Sequence, residues 1–250
     1  MDLRPHKFEM WLNAKYDNRE EFDENVRRVC KTYEEAQSLK EEGVNTISTD
    51  EKTGIQALER AADDKPMKPG IAQRIEYEYI RHGTQALIAS FEVATGEVKG
   101  SVVNERTEKE FAAHIVDVMS ANPEAGWIFV ADQLDTHKSE TLVRLVASEC
   151  GIKEDLGVKG KNGVLKNKKT RAEFLIDESH RIRFVYTPKH ASWLNQIEIW
   201  FSILVRRLLN RGSFKSVEDL RDRILAFIGY FNATMAKPFK WTYKGRPLVA

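Results

Sequence analysis

The order in which hydrophobic periodicity changes along the chain limits its fold more than any other feature. Up to Gly43 the spacing is helical: in NREEFDENVRRVCKTYEEAQSLKEEG, Phe22, Val26, Val29, Tyr33 and Ala36 share one face, and Gly43 is a stop. The period then drops to two. VNTISTD (44–50) alternates as a short strand, DDKPMKPG (63–70) is a polar loop, and RIEYEYI, QALIASFEVATG and EVKGSVVNE read as antiparallel strands with a turn at Thr95-Gly96. From Thr107 onward the two periods take turns. TEKEFAAHIVDVMSANP predicts a helix opened by a Thr107–Glu110 capping box, GWIFVADQ a short buried strand, and HKSETLVRLVASECG a helix stopped by Gly151. RIRFVYTP is a strand ended by Pro188, and two helices, about 193–211 and 216–234, follow. Strands first, then alternating helices and strands, give a mixed α/β sheet with helices on both faces.

Three acids stand at corresponding places in this order. Asp50 ends VNTISTD, Asp132 ends WIFVAD, and Glu198 sits early in the apolar helix of PKHASWLNQIEIWFSILVRRLL. Singly, each has a plain structural role: Asp starts turns by bonding its own backbone, and a Glu at the border of an apolar face reaches water. Glu198 nevertheless borders a sector holding Trp193, Leu194, Ile197, Trp200 and Phe201, where an unpaired carboxylate is costly. Three carboxylates at one sheet edge form the hard oxygen set that Mg²⁺ takes, with Mn²⁺ as a substitute. Two such ions can serve both sides of a phosphodiester.

Composition supports a polyanionic partner. The 250 residues are 42% hydrophobic, enough for a substantial core. Net charge is only +1, yet residues 151–250 carry 20 Lys and Arg against 9 Asp and Glu. The two cysteines have no metal-ligand or disulfide spacing. Without a membrane-length apolar run or a signal-like start, a cytoplasmic, nucleoid-associated protein is expected.

TDEKTGIQALER, FVADQLDTHKS and TPKHASWLNQIEIWFSIL resemble the three catalytic blocks of bacterial insertion-sequence transposases related to mariner elements, in the DDE endonuclease superfamily. The resemblance spans about residues 44–243, and LRPHKFEMWL is similar to the segment joining that family's DNA-recognition helices to the catalytic domain. It implies a ribonuclease H-like fold with antiparallel hairpins plus parallel strands. By the motifs, Asp50, Asp132 and Glu198 match the metal-binding and catalytic triad, with Glu51 and His137 as supporting residues. The implied activity is cleavage at element ends with two Mg²⁺ ions, then strand transfer into double-stranded target DNA, usually at TA. A homodimer on DNA is the implied assembly. Here 65 residues separate the second and third acids, more than is common in the family, and Gln133 stands where Asn is usual.

These readings divide the chain into a helical linker or appendage (1–43), a catalytic domain (44–243) with a basic insertion at about 151–180, and a tail (244–250). Lys159, Lys161, Lys166, Lys168, Lys169 and Arg171 of that insertion suit phosphate contacts; a solvated loop is the competing reading. Lys189, His190, Ser192, Asn195 and Gln196 are candidates for lining the DNA path, while Trp193 is expected in the core. The helix-turn-helix recognition part is expected from a neighbouring or frameshifted frame. A catalytically idle truncated transposase, inhibiting a full-length partner, is the alternative.

Overall fold

The computed structural model describes residues 18–243, so the LRPHKFEMWL segment and the 244–250 tail lie outside the described residues. Helices α1 (Arg19–Glu34) and α2 (Ala36–Glu41) precede strands β1 (Val44–Arg60), β2 (Tyr79–Glu92) and β3 (Val98–Val103). Then come α3 (Glu108–Met119), β4 (Gly126–Ala131), α4 (Glu140–Glu149), α5 (Lys168–Leu175), β5 (Ile182–Tyr186), α6 (Ile197–Leu204) and α7 (Val217–Thr234). The sheet has the order β3-β2-β1-β4-β5. Its first three strands pair antiparallel, and β1/β4 and β4/β5 pair parallel. This is the mixed sheet that the changes of period predict.

Side-chain alternation sorts the sheet into two apolar faces. Ile128 and Val130 of β4 face a core shared with Val26 and Val29 of α1, Trp200 of α6 and Ile224 of α7. Trp127, Phe129 and Ala131 face the other way, toward Phe111 and Ile115 of α3 and Leu142 and Val146 of α4. Trp200 is fully buried, with Phe201, Phe227 and Phe231 around it. Burying such a side chain contributes roughly 1.5–3 kcal/mol. Helix starts are fixed locally: the Asn18 side chain accepts from the Glu20 N–H at 3.0 Å, and Ser216 accepts from the Asp219 N–H at 3.1 Å. Thr107 does cap α3, but its hydroxyl accepts from the Lys109 N–H at 3.3 Å, one residue short of the expected box.

Four sequence expectations change. First, β1 does not stop at Asp50 but runs to Arg60, because β2 pairs with it all the way to Arg60↔Tyr79. A register shift between Lys52 and Ile55 is accommodated at Gly54, whose φ of 69° suits glycine. Second, RIEYEYI is no separate strand, since β2 begins only at Tyr79. Third, the 151–180 block is packed: Leu165 and Leu175 are fully buried, and Arg171 donates to the carbonyls of Lys138 and Leu165. Fourth, the helix expected over 193–211 is broken. A 3-10 turn, Ser192–Leu194, is cut off by an extended Asn195; α6 follows and ends in a π turn, Val205–Leu209. The segment expected as an appendage places Tyr33 and Cys30 in the same core as Val130 and Leu194. Among the described residues no helix is long and apolar enough to cross a membrane.

Candidate metal centre

Parallel pairing of β1 with β4 sets the site. The register ends at Ser48↔Val130, and Asp50 and Asp132 each lie two residues further on. Residues in register point to the same face, here the one covered by α6. At that point β4 stops: Asp132 Oδ1 accepts from the Leu134 N–H at 2.8 Å, and a 3-10 turn, Asp135–Lys138, carries His137 back toward β1. Ligand atoms of Asp50, Asp132 and His137 all lie within 4.8 Å of one another.

The electrostatics of these groups differ sharply. Asp50 is 7% exposed, and its oxygens accept from two neutral donors, the Glu51 N–H at 2.8 Å and the Asn195 amide at 3.2 Å. Burial, and then the charge of Asp132, push its carboxyl up to about 7. His137 is 0% exposed and hydrogen-bonds on both sides, Nε2 with Glu51 Oε2 at 2.9 Å and Nδ1 with Asp132 Oδ1 at 2.8 Å. Burial alone would lower its pKa, but the two carboxylates outweigh it and raise it to about 10. Burial likewise opposes ionisation of Asp132, and the bond and charge of His137 prevail, holding that carboxyl below its usual value. Both ring nitrogens of His137 are therefore engaged, and the imidazolium bridges two acids instead of offering a lone pair to a metal.

The structure brings Asp50, Asp132, Glu51 and His137 together, while Glu198 stands outside that group. It begins α6 at the same sheet edge, on the exposed side of the helix. Partial burial raises its carboxyl, Lys52 opposes the shift, and the charge of Asp132 adds to it. Fit to a divalent cation rests on the donor set: a buried aspartate held only by neutral donors, and a second aspartate beside it with a free oxygen edge. Hard oxygen donors of this kind suit Mg²⁺ or Mn²⁺.

Several candidates for the DNA path change place. Asn195 and Gln196 are fully buried, so neither faces a ligand surface. Trp193, expected in the core, is 53% exposed and held edge-on by Tyr243 at 4.9 Å. The break at Asn195 removes it from α6, so helical spacing no longer points it inward. Lys189, His190, Lys166 and Lys169 are exposed, Lys168 pairs with Asp135 at 2.5 Å, and Lys159 approaches Glu140 at 3.7 Å. Residues that the sequence reading missed include Ser48, bonded to the α6 loop, and Lys52. Thr46, Ser48 and Asp50 form a polar stripe with period two inside an apolar sheet, and that stripe was the available signal.

A mixed five-stranded sheet with acids at the carboxyl edge of its paired parallel strands defines a ribonuclease H-like nuclease scaffold. The DDE superfamily endonuclease family matches residues 45–221, and the chain belongs to that family. No curated protein matches. Among solved structures the chain is similar to the Mos1 mariner paired-end complex with Mn, at 12% identity over 94% of this chain and 61% of that one, with a TM-score of 0.54. It thus spans less than two thirds of that protein, and the likeness is one of fold. Also similar are the catalytic domain of Mos1 mariner transposase (10% identity, 88% and 85% covered, TM-score 0.46) and the Mos1 transposase catalytic domain with Raltegravir and Mg (9%, 90% and 89%, 0.48).

Proposed function

We propose that this chain is the catalytic domain of a DNA transposase, which cuts phosphodiester bonds at element ends and joins the freed 3′-hydroxyl to target DNA. The observation that carries this reading is that Asp50 and Asp132, each two residues past the last parallel pair Ser48↔Val130, come together on the face covered by α6, whose first turn bears Glu198. Family membership supports it, as does the fold shared with a mariner complex prepared with Mn.

Asp50 and Asp132 would hold divalent cations, Mg²⁺ or Mn²⁺, with Glu198 as the third acid. Two bound ions would activate a water or 3′-hydroxyl and stabilise the leaving oxygen. The chain's own residues do the rest. His137 keeps Asp132 ionised and oriented from one side, and Glu51 holds His137 from the other. Lys189, His190, Lys166 and Lys169 supply exposed donors for phosphates, which position DNA without reading its sequence. Lys168 joins them once it releases Asp135. A helix-turn-helix segment, in this frame or separately encoded, would read the element ends. A homodimer would hold two ends, and insertion would favour TA. In a bacterial host the enzyme would work in the cytoplasm, at the nucleoid.

Cleavage of supercoiled plasmid and of a labelled duplex in Mg²⁺, Mn²⁺ and Ca²⁺ tests the reading, with Glu198→Gln alongside. Nicking in Mg²⁺ or Mn²⁺ that falls by about 10³-fold or more in the variant is expected. Nicking that persists in the variant, or that proceeds equally in EDTA, contradicts it.

A further inference from the structure

We infer that Asn195 is a positioning residue that sets Asp50 against Glu198; the inference rests on the metal-dependent reading above. Asn195 is 0% exposed, and all of its polar groups are used. Its Nδ2 donates to Asp50 Oδ2 at 3.2 Å and to the Thr49 carbonyl at 2.9 Å. Its Oδ1 accepts from the Ser48 hydroxyl. Its backbone carbonyl accepts from the Glu198 N–H at 3.1 Å. One residue thus grips the first acid by its side chain and the backbone of the third acid by its main chain.

The surroundings make that grip directional. The Thr49 carbonyl can only accept, so it requires the Nδ2 end of the amide on that side and sets the same end toward Asp50, while Ser48 Oγ accepts from the Ile197 N–H at 2.9 Å. The Tyr33 hydroxyl of α1 accepts from the Gln196 N–H at 3.4 Å, so three consecutive residues, 195 to 197, are tied from their backs. Asn195 is also where the chain turns extended, with φ −80° and ψ 111°, between the 3-10 turn and α6. The position of Glu198 therefore follows from this anchor and not from a helix running through it.

Few side chains could replace it. Aspartate has the shape but no donor, and it would set a second buried carboxylate against Asp50. Glutamine carries its amide one methylene too far. Alanine leaves the Thr49 carbonyl and the Ser48 hydroxyl buried without their partner.

Mn²⁺ affinity, read by electron paramagnetic resonance on the full chain beside its melting temperature, tests the role. Asn195→Ala should weaken Mn²⁺ binding by about 10- to 100-fold, the usual effect of losing a group that orients a metal ligand. Asn195→Asp should weaken it at least as much, and Ser48→Ala less. Ser48→Ala keeps the amide and serves where Asn195→Ala fails to fold. The control is Asn45→Ala: Asn45 is 5% exposed on the same strand, accepts from Lys40 at 2.7 Å, and lies away from the acids. It should lower the melting temperature while keeping wild-type Mn²⁺ affinity. Wild-type affinity in both Asn195→Ala and Ser48→Ala overturns the inference, and so does an equal loss in Asn45→Ala. A wild-type chain that binds no Mn²⁺ at millimolar concentration overturns the metal reading itself, an outcome visible before any variant is compared.

Discussion

His114 and His137 are both buried, at 1% and 0% exposed, and their surroundings make them opposites. His114 lies between two hydroxyls, Ser90 Oγ on Nε2 and Ser101 Oγ on Nδ1, each at 2.9 Å. Burial, opposed by Asp117 and aided by Lys99, lowers its pKa to about 4, so the ring is neutral. His137 lies between two carboxylates and is charged, with a pKa of about 10. Burial acts in the same direction on both rings; the partners decide the outcome. A hydroxyl-bound histidine joins β2 and β3 to α3, whereas a carboxylate-bound one concentrates charge at the sheet edge where Asp50 and Asp132 meet.

Removing His137 breaks this contrast most severely. His137→Ala leaves Glu51 and Asp132 facing each other without a counter-charge, and a loss of about 3–5 kcal/mol in urea unfolding is expected. His114→Ala strands only two hydroxyls, and the same measurement should give about 1–3 kcal/mol. If the two losses are equal, the charged state assigned to His137 is wrong.

Unfolding across pH separates the two rings by sign. His114 has a folded pKa below its unfolded value of 6.5, so its contribution is present above pH 6.5 and is lost as pH falls toward about 4. His137 has a folded pKa above that value, so its contribution is full below pH 6.5 and is lost as pH rises through about 10. Each slope is at most about 1.4 kcal/mol per pH unit. His114→Gln should flatten the acid limb only, whereas His137→Gln should flatten the alkaline limb and also change the acid limb, because Asp132 loses the partner that holds its carboxyl down. The finest test is Ser101→Ala, which removes one neutral bond to His114; a cost of about 1 kcal/mol with an unchanged alkaline limb is expected.

Much of the scaffold is legible in the sequence because burial imposes periods. VNTISTD and WIFVAD alternate or run apolar, and the acids that end them, Asp50 and Asp132, do converge. The limits are physical as well. EKTGIQALER is too polar to read as strand, and it becomes one only because β2 runs beside it to Tyr79. Asn195 reads as a surface residue, since asparagine is mostly exposed, and its burial depends on hydroxyl and carbonyl partners about 145 residues away in sequence. Trp193 reads as core because helical spacing was carried through a break that only Asn195's extended backbone reveals. The lysines of 159–171 read as one patch, but ion pairs and the buried Arg171 divide it.

Asp50 and Asp132, each two residues past the Ser48↔Val130 pair of β1 and β4, are proposed to bind a divalent cation. Anomalous diffraction from crystals soaked in Mn²⁺ tests it most directly. A manganese peak within bonding distance of both carboxylates, absent in Asp50→Asn, is the result this account predicts. At saturating Mn²⁺, a peak elsewhere, or none between the two aspartates, would contradict it.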